Sequence, residues 1–121
     1  MKLTGEAKKD FEEWLIKDNK PSYVGFEEIG FVRHNVFSPV YFYDLPESMQ
    51  WGVYQDWFDS TGVSISDWGL VLTKESIAWH CSILYECKIV SVSKGRFFNS
   101  RQEARTAAIE KANEIYNNRN K

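Results

Sequence analysis

The sequence has few of the residues that build disulfides and metal sites. It contains two cysteines, Cys81 and Cys87, and two histidines, His34 and His80, in 121 residues. An uninterrupted strand would hold the two cysteines roughly 20 Å apart, which is too far for a disulfide bond. We expect both to be buried, reduced thiols, as is typical of a reducing compartment. Because neither histidine has a partner at the spacing of metal ligands, we predict no metal site.

Long apolar runs and an excess of positive charge are also missing. No run approaches the roughly 18 apolar residues of a membrane span, and residues 1–6 lack the apolar segment of a signal peptide. We therefore expect a soluble, cytoplasmic protein without a membrane partner. The net charge of −2 disfavours a broad surface for the phosphates of duplex DNA or RNA. This net charge is compatible with a small, local anion site.

Motifs of catalysis are absent as well. The sequence has no G-x-S-x-G elbow, no glycine-rich phosphate loop and no H-E-x-x-H zinc motif. Cys81 follows His80 directly, but adjacent residues of a strand point to opposite faces and do not form a dyad. We therefore predict a protein that is not an enzyme, with no catalytic residue and no cofactor.

Apolar and aromatic residues, in contrast, are plentiful. They make up 43% and 16% of the chain, which is enough for the core of one domain over residues 1–121, with residues 117–121 frayed. Helical spacing predicts helices from Thr4 to Asp18 and from Pro46 to Asp59, the second ending near Gly62. Residues 22–37 fit either short strands or an ordered loop, and Ser38-Pro39 is typical of a helix start.

Alternating apolar residues predict a sheet between the second and the last helix. Residues 63–73 alternate, and residues 77–89 form a longer alternating run with a bulge or turn near Tyr85-Glu86. Strands that follow each other directly, with helices before and after them, indicate an α+β fold. We predict an antiparallel β-meander packed with three main helices.

The second helix is apolar on two sides. One side carries Met49, Val53 and Trp57, and the opposite side carries Trp51, Tyr54 and Phe58. A helix of this kind is buried on both sides, either as the central helix of the fold or against another subunit. We assign Trp51, Tyr54 and Phe58 to the interface of a homo-oligomer, either a dimer or a hexamer.

The last helix contains the most informative local pattern. Ser100 and Glu103 form a capping box, which predicts that the helix begins at Arg101. Arg101 and Arg105 lie one turn apart, inside the apolar stripe of this helix and at its N-terminal end, where the helix dipole favours an anion. The other members of the stripe are Ala104, Ala108, Ile109, Ala112, Ile115 and Tyr116.

Two interpretations of the arginines follow from the residues. In the first, both guanidinium groups bind phosphate, while a nearby ring stacks on a base and Asn99 contacts a base edge or a ribose hydroxyl. The candidate rings are Phe97, Phe98 and Trp79. In the second, one arginine forms an ion pair with Asp56 or Asp59 of the second helix and is structural.

Two segments, Leu45 to Ser60 and Ser100 to Ala112, resemble a group of short phage-encoded proteins in which the same blocks flank a variable sheet. The arginine spacing is also similar to that of the Thoeris anti-defence sponges of phages. Members of that family are small α+β oligomers that sequester cyclic ADP-ribose isomers, and some hold cyclic oligonucleotides at a separate site. The resemblance implies phosphate contacts by Arg101 and Arg105, with Phe97, Phe98 or Trp79 against the adenine.

The resemblance leads to our first hypothesis of function. The protein is expected to be a phage anti-defence sponge that sequesters a cyclic nucleotide immune signal without cleaving it, in the cytoplasm of the infected host. The alternative is a protein–protein interaction module or inhibitor. It would dock on a host protein through the aromatic helix face of Trp51, Tyr54 and Phe58.

Overall fold

The computed structural model of the chain describes residues 2–17, 42–92 and 97–119. Within these ranges the helices and strands confirm the predicted α+β fold with an antiparallel meander. The expectations for residues 22–37 and for Ser38-Pro39 lie outside the described residues. The elements are α1 (Gly5–Lys17), α2 (Glu47–Thr61), β1 (Val63–Thr73), β2 (Ser76–Tyr85), β3 (Lys88–Ser91) and α3 (Arg101–Asn118).

The three strands form one antiparallel sheet in the order β1-β2-β3. The long alternating run of the sequence divides into β2 and β3 at a two-residue turn, Glu86-Cys87, where φ is 50° and 63°. Positive φ at both central residues is the geometry of a type I′ hairpin, which follows the twist of the strands. Cys87 is therefore exposed at a turn, and the expectation that it is buried is wrong.

Helices cover one face of the sheet. On that face Val63 and Ile65 of β1 and Cys81 and Ile83 of β2 are at most 3% exposed, and both α2 and α3 contact β1. Cys81 is a free, buried thiol, as predicted. Burial and, to a smaller extent, the negative charge of Asp67 raise the pKa of Cys81 to about 11, so it is uncharged at neutral pH.

Helix α2 is the central helix of the described core. Gly62 ends it in the left-handed conformation, with φ at 87°, as its position in the sequence predicts. Trp51, Tyr54 and Phe58, which we assigned to an oligomer interface, are 3%, 0% and 0% exposed within a single chain. That assignment is corrected, because these rings are covered by the chain's own residues and are not available to a second subunit. Tyr54, for example, packs against Phe11 of α1.

Helix α1 is attached to α3 by two asparagines that the sequence analysis did not assign to the core. The backbone N–H of Thr4 donates to Asn113 Oδ1 at 2.8 Å, and that of Ala7 donates to Asn117 Oδ1 at 2.8 Å. Asn117 Nδ2 donates in turn to the carbonyl of Thr4 at 3.0 Å. Since the first N–H groups of a helix have no partner inside it, α3 supplies the acceptors that α1 needs.

Helix α3 begins at Arg101, as predicted. Ser100 Oγ accepts a hydrogen bond from the backbone N–H of Glu103 at 3.1 Å. The Glu103 carboxylate accepts from the N–H of Asn99 at 3.2 Å, one residue before the one that a capping box requires. The cap holds the first turn of α3, and with it the backbone of Arg101, in a fixed position next to the sheet.

Ser100→Ala is expected to lower the free energy of unfolding by about 1 kcal/mol, because the N–H of Glu103 loses its acceptor. Urea denaturation followed by circular dichroism measures the loss. Ser100→Asp is the matched control, since its carboxylate keeps an acceptor at the N-cap and should preserve the stability. Equal stability of the alanine variant and the wild type would contradict this role of the cap.

Candidate functional site

The site consists of two arginines and one carboxylate, Arg101, Arg105 and Asp67. We call the two arginines the arginine pair and Asp67 its carboxylate. Arg101 Nε lies 3.3 Å from Asp67 Oδ2, and Arg105 Nε lies 3.2 Å from the same oxygen. The sequence places the two arginines one helical turn apart on α3, and β1 brings Asp67 between them from the helix-covered face of the sheet. Two guanidinium groups that meet one carboxylate leave one positive charge uncompensated among the three.

Two tryptophans hold the arginine side chains. Arg101 Cζ lies 4.4 Å from the ring centroid of Trp79, and Arg105 Cζ lies 5.2 Å from that of Trp51. Guanidinium groups over indole rings are attracted by the negative face of the ring. Trp51 therefore belongs to the surroundings of this site, a role that the sequence analysis did not assign to it.

The two arginines differ in their access to solvent. The side chain of Arg101 is 54% exposed, whereas those of Arg105 and Asp67 are 17% and 12% exposed. Both approach Asp67 through Nε. Arg101 thus combines an anchored Nε with an accessible end that is able to donate to a second anion.

Asp67 is the functional residue that the sequence analysis missed. The interpretation with an internal ion pair named Asp56 or Asp59, but both of these are exposed on α2 and the acid between the arginines is Asp67. A signal was present in the sequence. Asp67 follows Val63 and Ile65 at every second position of the strand, so it points to the same, buried side. An acid at such a position requires a cation or a hydrogen-bond donor.

The remaining predicted site residues occupy different surroundings. Trp79, one of the three candidate rings, lies against Arg101. Phe98 pairs with Trp79 through the backbone and is partly buried against the core. Phe97 is 52% exposed and packs on His80, with centroids 4.2 Å apart. Asn99 is exposed.

The position of Trp79 depends on a glycine in the neighbouring strand. Gly69 is its cross-strand partner, and a Cβ atom at Gly69 would lie 2.8 Å from Cζ3 of the Trp79 ring. Glycine therefore allows the indole to lie close to β1, beside the guanidinium of Arg101. Any larger residue at position 69 would displace the ring that holds Arg101.

An open groove of about 370 Å³ includes Phe98, the backbone partner of Trp79. Phe97, Phe98 and Asn99 line one part of it, and Ile77 and Ala78 at the start of β2 line another. Three of the predicted site residues therefore share this groove. Within residues 2–17, 42–92 and 97–119, no group of three or more His, Cys, Asp or Glu residues is placed to hold a metal ion.

Comparisons with protein-family models, with curated proteins and with solved structures found no match to this chain. In the part of the chain that the structure describes, no helix has the length and apolar character needed to cross a membrane.

Proposed function

We propose that the protein binds a cyclic nucleotide signal through the arginine pair and sequesters it without cleavage. The observation that supports this most is the convergence of Arg101 and Arg105 on a single carboxylate, with more than half of the Arg101 side chain exposed. Such a cluster is positively charged, fixed by its neighbours and open to an anion. Phosphate is the anion that paired arginines bind best, because each guanidinium can donate two parallel hydrogen bonds to it.

The surroundings of the pair favour a nucleotide over a simple anion. Trp79 lies against Arg101, and a groove with two phenylalanines and Asn99 lies near the same end of α3. Rings beside arginines are the usual means of binding a base next to its phosphate. The resemblance to the sponge family supplies the class of ligand, which is a cyclic ADP-ribose isomer or a cyclic oligonucleotide.

Sequestration, rather than cleavage, is proposed because the group that faces Asp67 across the sheet is a poor nucleophile. Cys81 is the cross-strand partner of Asp67 and is 2% exposed. Burial and the charge of Asp67 raise its pKa to about 11, which keeps the thiol protonated at neutral pH. We assign no bond-breaking step to the residues of the site.

Asp67 plays the part of a resident anion in this proposal. In the free protein its carboxylate neutralises one of the two arginines and keeps both side chains ordered. An incoming phosphate shares the guanidinium donors with Asp67 and binds at the exposed end of Arg101. Because the arginines are already held in place, the ligand loses less free energy to the ordering of side chains.

Isothermal titration calorimetry with cyclic ADP-ribose isomers and cyclic trinucleotides tests the proposal. Arg101→Ala is expected to weaken binding at least about 100-fold, since it removes two charged hydrogen bonds. The ligand should be recovered intact by chromatography after the protein is denatured, as sequestration without cleavage requires.

Arg119→Ala is the matched control for this titration. It removes the same charge from the opposite end of α3, where Arg119 lies over Tyr116 and donates to the carbonyl of Thr61 at 3.1 Å. The distance from Arg101 along an 18-residue helix is roughly 27 Å. The control should therefore bind as the wild type does. No binding by the wild type, or equal losses in both variants, would contradict the proposal.

A further inference from the structure

The face of the sheet that the helices leave uncovered carries large apolar side chains. Trp68, Leu70, Leu84, Ile89 and Phe97 are 48%, 48%, 49%, 78% and 52% exposed. Cross-strand pairing places Trp68 beside His80 and Leu84 beside Ile89 on this side, and Phe97 packs on His80. We call these five residues the open face. They lie on the side opposite to Ile65 and Asp67, which point toward the helices.

The described strand positions of the open face carry no charge, and the acid at the tip of the β1–β2 hairpin, Glu75, lines the same groove as Phe97. The cross-strand pairs of the open face on β1 and β2 are Ser64–Leu84, Ser66–Ser82, Trp68–His80 and Leu70–Ala78, and Ile89 continues it on β3. None of these positions holds Asp, Glu, Lys or Arg, although these types make up 26% of the chain. Aromatic residues without charged neighbours are typical of the centre of a protein interface, whereas a solvated sheet face alternates with polar and charged residues.

The size of the patch also fits a contact. An aromatic side chain buries roughly 150–250 Å², so the exposed halves of Trp68 and Phe97 and the three aliphatic side chains present on the order of 500 Å². That matches the largest apolar patches of monomeric proteins, which are often functional. Leu72 at the tip of the β1–β2 hairpin adds to it, because it is 59% exposed and lines the same groove as Phe97. With Leu72 the patch supplies a large part of the roughly 800 Å² that one partner contributes to a stable interface.

We infer that the open face is the contact surface between two copies of this chain. In a two-fold dimer the same patch occurs on both subunits, so any charged residue near the axis would meet its own copy. The open face has none, whereas recognition of a different protein usually relies on complementary charges. A neutral, aromatic face in a chain of net charge −2 is therefore suited to its own copy.

The central feature of this contact is a stack of three rings. Trp68 and His80 are parallel, with centroids 4.3 Å apart and planes 13° from each other, and Phe97 meets His80 edge-on. The stack gives the open face a rigid, shaped centre, which large aromatic anchors provide in most stable interfaces. Leu84 and Ile89 lie further along the same face, beyond the pair of Ser66 and Ser82.

Sedimentation equilibrium and light scattering of the purified full chain test this inference. The wild type is expected to have the mass of two 14.2 kDa chains, and Ile89→Lys is expected to have the mass of one. Ile89 is suited to this test because its side chain is 78% exposed, so the substitution should leave the fold, as followed by circular dichroism, unchanged. Trp68→Lys serves as a second variant in the same face.

Ile16→Lys is the matched control, because it places the same charge on an apolar side chain that is 59% exposed on α1. It should keep the mass of two chains. A monomeric wild type across the accessible concentration range would overturn the inference, and so would a folded Ile89→Lys variant that keeps the mass of two chains. The mass measurement changes Ile89 and Trp68, whereas the nucleotide titration changes Arg101, so a failure of one proposal is distinguished from a failure of the other.

Discussion

Phe11→Ala is expected to lower the free energy of unfolding by about 3–5 kcal/mol. Phe11 is completely buried and stands at the centre of the aromatic part of the core. Removal of its ring would leave a cavity that the rigid neighbours cannot fill, so the loss of contacts adds to the lost burial. The neighbouring rings, with centroids 4.9–6.0 Å away, are Trp14, Phe42, Tyr54 and Trp57.

Urea denaturation of Phe11→Ala measures this effect, with Ile16→Ala as the control. Ile16 lies on the same helix but is 59% exposed, so its truncation should change the stability by less than about 1 kcal/mol. Phe11→Leu should recover a large part of the loss, because it fills part of the cavity. Similar stabilities of Phe11→Ala and Ile16→Ala would contradict the position of Phe11 in the core.

Asp67→Asn is expected to lower the free energy of unfolding by about 1–3 kcal/mol, mainly by leaving two positive charges without their anion. Arg105 contributes most of this, since its side chain is only 17% exposed and cannot move freely into water. The amide has nearly the same shape as the carboxylate, so the packing around position 67 should not change. Denaturation at low and at high salt measures the effect, and salt should reduce it because it screens the repulsion of the arginines.

The same variant gives a second readout through added phosphate. If the arginines bind anions, inorganic phosphate should raise the melting temperature of Asp67→Asn more than that of the wild type, because the variant lacks the resident anion. Asp56→Asn is the control, since Asp56 is exposed on α2, and it should behave as the wild type in both experiments. A variant Asp67→Asn that is as stable as Asp56→Asn would contradict the role of Asp67 as the anion of the pair.

The sequence predicts those parts of the fold that depend on local rules. Ser100 identifies the start of α3 because a cap is a contact between neighbours in the chain. Gly62 identifies the end of α2 for the same reason. The wheel of α2 likewise indicates burial on two sides. It does not indicate what covers them, and the covering residues come from α1, Phe42, β1 and α3 rather than from a second subunit.

The site itself depends on a contact between residues that are distant in the sequence, which local rules do not predict. Arg105 and Asp67 are 38 residues apart in the sequence. They meet because the packing of α3 on β1 places Arg105 opposite Asp67. The sequence predicts that the arginines face inward, but it does not rank Asp67 above Asp56 as their partner. The turn that the sequence predicts near Tyr85-Glu86 lies at Glu86-Cys87, although it lacks the glycine or asparagine that usually allows positive φ.

The asparagine contacts between α1 and α3 have a consequence for the order in which the chain folds during synthesis. They join residues 109 to 113 positions apart, and the hydrogen bond from Tyr116 to Asp10 spans 106 positions. Because α1 precedes α3 in the chain, α1 cannot complete these contacts during synthesis until α3 has been released. Until then the backbone N–H groups of Thr4 and Ala7 lack the acceptors that the two asparagines provide, although Phe11 can already pack on Phe42 and Tyr54. Release of α3 is the step that supplies these acceptors.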